Sequence, residues 1–241
     1  MLDVLEPPAD LPVLAPAISL RKAIGWTVAT ALVPLVGYLA ISTIYITLWY
    51  AITRYQGPPP KSLILHAMWA SVPFSSFGAV GLWWTLHHRR GRFSELFKLR
   101  GATFADILVG LAAGAAWIVI YGAVFRIVRF QQMFTVDMNK LLAIPAAAAA
   151  AICEEMMFRG FVLWIIVRAG KDWRWQMTAS ALAFGFGHVF WGPAGMFWTA
   201  VLGASLAAIT IWRGNVWAAL LAHLVLNLCI EPGLIRNVMG M

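Results

Sequence analysis

Charge is what this chain has least of. Asp, Glu, Lys and Arg make up 12% of its 241 residues, about half the roughly 25% usual in soluble domains. So few charges cannot cover a water-facing surface, which excludes an ordinary soluble globular protein. Acidic residues are scarcer than basic ones, 10 against 18. Cysteine is nearly missing: Cys153 and Cys229 are alone in apolar stretches, with no CxxC spacing, which excludes a disulfide framework and leaves them as small packing residues. No HExxH and no GxSxG is present, so the commonest zinc-protease and serine-hydrolase signatures are missing. Alternating polar and apolar runs are lacking too, which excludes a β-barrel. The first ten residues carry no basic stretch ahead of an apolar one, so no cleaved signal peptide is expected.

Long hydrophobic runs are what fill the chain. Apolar residues reach 61% and mean hydropathy is +0.78. Repeated runs of about 20 apolar residues predict an all-α, polytopic transmembrane bundle. The spans read as 26–50, 62–86, 104–125, 141–167, 175–190, 194–212 and 216–231, about seven, with six and eight as the bounds. Residues 1–25 read as an N-terminal tail, loose and proline-bearing over its first 20. Residues 26–241 read as one transmembrane domain. Trp26, Trp49, Trp173, Trp175, Trp191 and Trp212 fall near span ends, where interfacial anchors sit.

The net charge of +8 belongs to loops. Arg21, Lys22, Arg89, Arg90, Arg92, Lys98, Arg100, Arg168, Lys171, Arg174 and Arg213 share one side. Arg54, Lys61, Arg126, Arg129, Lys140 and Arg236 share the other. That bias puts the first set in the cytoplasm, facing anionic lipid. With no soluble basic module, no nucleic-acid partner is expected. In the basic stretch 87–100, Phe93, Leu96 and Phe97 recur at helical spacing, which fits a short amphipathic helix at the membrane surface, or an ordinary basic loop. Gly110 and Gly114 form a GxxxG. Gly203, Ala204, Ala207 and Ala208 make a small face. Gly185 and Gly187 would admit a neighbouring helix near His188.

Against this background Glu154 and Glu155 stand out. They lie inside the run Leu141–Val167 with Arg159 close behind, and each such charge at mid-membrane costs roughly 2.5–3.5 kcal/mol. The other polar groups embedded in spans are His188, His223 and Asn227, with His66 in the second span. Glu154 precedes Arg168 by as many residues as His188 follows Arg174, so both sit roughly 21 Å from the shared loop at 1.5 Å per residue. His223 lies about 15 Å from Arg213 on the same scale. Glu155 and Arg159 are spaced i,i+4 with the acid first, the favourable order for a helical ion pair. Glu154 is rotated about 100° from Glu155 and is the freer carboxylate. His223 and Asn227 share a helix face, as do Phe184 and His188.

Such a set can hydrolyse an amide. A Glu and a His can hold a water and take its proton. A second His and an Asn can donate to the developing oxyanion. Ser180, Ser205 and Cys153 lack the setting of a nucleophile. A metal reading uses Glu154, His188 and His223 as ligands for a zinc-like ion with one open position. Activated water without metal is the favoured of the two. A single embedded His, such as His66, reads as packing; six polar groups at similar depth do not.

Three motifs carry a resemblance. EEMMFR (Glu154–Arg159), FGFGH (Phe184–His188) and HLVLN (His223–Asn227) resemble the EExxxR, FxxxH and HxxxN of the CAAX prenyl protease and bacteriocin-processing family, the Ras-converting-enzyme type. The likeness covers residues 90–230 approximately. It implies a glutamate-dependent intramembrane endopeptidase, sometimes labelled a metalloprotease. In it Glu154 and His188 activate water, Glu155 and Arg159 support the site, and His223 and Asn227 stabilise the oxyanion. It also implies a hydrophobic or prenylated peptide as substrate, and family members often have a further span beyond Glu231. The expected location is a bacterial inner (plasma) membrane, with lipid as a partner. Two other readings stay open: a non-catalytic immunity or scaffold protein with the same motifs, and an ion-coupled transporter using Glu154 and His188 as a relay. The transporter reading finds no repeat hydropathy in its favour.

Overall fold

A computed structural model describes residues 18–54, 75–88, 92–99, 101–125 and 138–239. Residues 1–17 of the tail, Lys61, His66 with the first half of the second predicted span, Arg89, Arg90, Arg100, Arg126 and Arg129 lie outside the described residues. Within them all regular structure is helical. The elements are α1 (Leu20–Thr53), α2 (75–87), α3 (Phe93–Leu96), α4 (Phe104–Phe125) and α5 (Met138–Glu155), the last leading into a π-helical turn (Met156–Phe161). After it come α6 (Val162–Arg168), α7 (Trp173–Gly187), a 3-10 turn (Val189–Trp191), α8 (Gly192–Arg213) and α9 (Trp217–Met239).

Three of these, Leu20–Thr53, Phe104–Ala123 and Gly192–Arg213, are long and apolar enough to cross a membrane. The outer faces match that role. Ile24, Val28, Val36 and Leu39 on α1 and Ile107, Leu108, Leu111 and Val119 on α4 are exposed. A soluble protein would hide such stripes; lipid tails solvate them. The chain is an integral membrane protein.

Helix boundaries follow local chemistry. Ser19 Oγ accepts from Lys22 N and opens α1, so the helix starts within the predicted tail. Asp172 accepts from the amides of Arg174 and Trp175 and opens α7. Gly214, with φ 69°, closes α8. The predicted end of the last span at Glu231 is not a stop: α9 continues to Met239.

Packing divides around the segment that runs from α5 to α6. On one side α9 lies along both α4 and α5; on the other α7 packs on α1, α6 and α8. The GxxxG is the seam between α4 and α9. A Cβ on Gly110 would stand 2.8 Å from the Ala218 carbonyl oxygen, and one on Gly114 3.0 Å from Val225 Cβ. Gly185 serves α8 in the same way, since a Cβ there would meet Met196 O at 2.7 Å.

Two expectations change. The 93–97 segment does not lay its apolar face on lipid: Leu96 and Phe97 are fully buried in the protein core. Trp26 is partly buried against neighbouring rings. It packs edge-on against Trp83 at 5.0 Å and His87 at 4.9 Å, in a cluster that includes Phe161. Both changes have one cause: the core of this bundle has room for rings that hydropathy assigns to a boundary.

Candidate active site

The α5–α6 segment supplies the acids. Glu155 and Arg159 are both fully buried, and Arg159 Nη1 lies 2.9 Å from Glu155 Oε1. Taking two charges out of water requires mutual compensation. A second partner comes from α9, where His223 Nδ1 lies 2.8 Å from the same Glu155 oxygen. An ionised carboxylate only accepts, so Nδ1 carries the proton and donates. Arg159 is also held from α7. Its Cζ stands 4.1 Å from the centroid of the Phe184 ring, a cation–π contact in a desolvated setting.

Phe184 is the hub of the site. Its ring also meets His188 at 4.6 Å, His223 at 5.6 Å and Phe158 at 5.2 Å. One buried ring thus touches Arg159 and both imidazoles.

Glu154 stays outside the ion pair. Its Oε2 lies 3.7 Å from His223 Nε2, too far for a hydrogen bond. His188 Nδ1 is 2.8 Å from its own helix's Phe184 carbonyl. A carbonyl oxygen only accepts, so Nδ1 donates, and in the neutral ring Nε2 keeps its lone pair. His188 lies within electrostatic reach of Glu154, His223 and Arg159, and no hydrogen bond or ion pair joins it directly to Glu154. A gap of this kind suits a bridging water.

The structure therefore brings Glu154, Glu155, Arg159, His188 and His223 together from three helices. Asn227 is half-buried one turn beyond His223 on α9. Cys153 is a buried free thiol beside Glu154. The two serines weighed as nucleophiles are committed elsewhere: Ser180 Oγ donates to Phe158 O at 2.9 Å and Ser205 Oγ to Leu202 O at 2.8 Å.

Among the described residues no group of three or more His, Cys, Asp or Glu side chains is arranged to hold an ion. His223 commits Nδ1 to Glu155 and turns Nε2 towards Glu154 at 3.7 Å.

A polar clasp that sequence inspection missed fixes α9 from outside the site. Asp106, 1% exposed, accepts from Arg213 Nε at 2.6 Å and Asn215 Nδ2 at 3.2 Å. It also accepts from Thr103 N and Thr103 Oγ1, while Thr103 Oγ1 accepts from Asp106 N, a reciprocal cap on α4. Asn215 Oδ1 accepts from Trp217 N and so opens α9. The Thr–x–x–Asp spacing before an apolar run was the available signal.

Residues 136–229 match the family described as Type II CAAX prenyl endopeptidase Rce1-like. The matched stretch holds α5 to α8, α9 as far as Cys229, and all three motifs. No curated protein and no solved structure matches the chain. That match, with all three motifs inside it, supports the CAAX protease family for this stretch of the chain.

Proposed function

We propose that this protein is an intramembrane endopeptidase that cleaves a hydrophobic or prenylated peptide with a water activated by Glu154 and His188, without metal. One observation carries the reading. Of two adjacent buried carboxylates, Glu155 is tied up by Arg159 and His223, while among the described residues Glu154 has no hydrogen bond, only the 3.7 Å approach of His223. A carboxylate held out of an ion pair in a low-dielectric interior is suited to act as a base.

A water between Glu154 and His188 donates one hydrogen to each, to the Glu154 carboxylate and to the lone pair of His188 Nε2. As its oxygen attacks the scissile carbonyl, Glu154 takes the proton and later passes it to the leaving amine. The carbonyl oxygen gains negative charge. His223 Nε2, when it carries a proton, is a donor to that oxyanion. Asn227, on the same face of α9, supplies a second donor. Glu155 holds the His223 ring in place through Nδ1.

The test is cleavage of a farnesylated CAAX-type peptide and of its unprenylated form by the purified protein in detergent, read by mass spectrometry, with and without a chelator. The expected result is cleavage of the prenylated peptide that survives the chelator. No product from either peptide would remove the protease reading; loss of product with chelator, restored by added zinc, would remove the metal-free one.

A further inference from the structure

The π-helical turn immediately follows the two catalytic-motif glutamates and contains Arg159. Such turns insert one residue into a helix and are uncommon outside functional sites. Here the change of register is explicit. The amide of Val162 bonds to Met157 O, five residues back. In an α-helix it would bond four back, to Phe158 O. The Phe158 carbonyl has lost that donor, and Ser180 Oγ donates to it at 2.9 Å. Ser180 is fully buried on α7, two turns before His188. In an apolar interior a serine hydroxyl needs such an acceptor, and a carbonyl needs such a donor.

The opposite flank of the turn is closed by backbone. A Cβ on Gly160 would lie 2.6 Å from Phe97 Cα and 3.0 Å from Phe97 O. The α3 segment therefore presses on the turn from one side while Ser180 and Phe184 hold it from the other. Reverting to α-helical register would rotate everything after the turn by about 100° relative to Glu154 and Glu155.

We infer that Ser180 is a positioning residue for the active site: its hydroxyl holds the π turn in register and so sets Arg159 and Glu155 against His223. This rests on the peptidase reading for its catalytic consequence, but its geometric content is independent. The hydroxyl links the helix that bears the acids to the helix that bears His188, and it does so without touching the reacting atoms.

The experiment compares Ser180→Ala, Ser180→Thr and wild type by peptide cleavage and by the ring 15N NMR signals of His223 in detergent. Ser180→Ala is expected to lower kcat by about tenfold or more with KM unchanged, as small misplacements of catalytic groups do. It is also expected to shift the His223 signals. Ser180→Thr, which keeps the hydroxyl, is expected to restore both. If Ser180→Ala does not fold, Ser180→Cys, of similar size and a much weaker donor, takes its place under the same criteria. Wild-type kcat together with unmoved His223 signals in the hydroxyl-free variant would overturn the inference and leave the peptidase reading intact. Shifted His223 signals in a protein whose wild type cleaves nothing would do the reverse.

Discussion

His223 Nδ1 donates to Glu155 Oε1 at 2.8 Å across 68 positions of sequence. This bond makes the second motif glutamate an orienting group. It holds the α9 imidazole and the Arg159 guanidinium on one oxygen and leaves the first glutamate outside the ion pair. The division of labour between two adjacent, identical side chains comes from their 100° separation around the helix and from which one faces the cation.

Glu154→Gln removes the base and keeps the volume. Cleavage is expected to fall to background while expression, detergent extraction and thermal unfolding stay close to wild type. Retained turnover in a mass-spectrometric peptide assay would assign the base elsewhere.

Arg159→Met leaves Glu155 buried beside His223 without its guanidinium. Removing one partner of a buried pair costs about 3–5 kcal/mol, so a marked fall in Tm is expected. Adding Glu155→Gln should recover part of that loss, because no bare charge remains. A thermal-unfolding double-mutant cycle reads the coupling, and additive losses would show that the pair is not one unit.

Gly110→Val and Gly114→Val place side-chain atoms where α9 lies within 3.0 Å. Overpacking of this kind costs about 1–3 kcal/mol. Because α9 carries His223, activity is expected to fall further than stability alone would explain. Measuring kcat at a temperature where each variant is fully folded separates the two effects.

Asp106→Ala opens the clasp that joins α4 to Arg213 and Asn215. The partners left behind are partly buried, and each buried group without a partner costs about 1–3 kcal/mol. A lower Tm is expected, together with faster hydrogen exchange at the start of α9, where Asn215 Oδ1 accepts from Trp217 N. An unchanged Tm would mean that the clasp adds nothing to the packing of Gly110 and Gly114.

The helical class and the polar residues that meet in the site were readable along the chain. Each is a short-range property. Apolar runs report a lipid-facing rod, the i,i+4 offset of Glu155 and Arg159 reports a shared face, and a charge far from any loop reports a function that outweighs its cost of insertion. Equal counts from a common loop even put Glu154 and His188 at one depth.

What no window of sequence contained was the choice of partners. Glu155 and Glu154 are equivalent until α9 arrives, and the Gly110 seam determines where it arrives. The π turn depends on Ser180 from another helix, and the inward docking of Phe97 depends on a glycine more than 60 positions away. The Asp106 clasp needs Arg213 and Asn215, more than 100 positions further along the chain. Local periodicity is set by a few neighbouring residues, whereas these pairings arise only when distant helices pack, because the energy that selects them is burial and hydrogen bonding between segments remote in the chain.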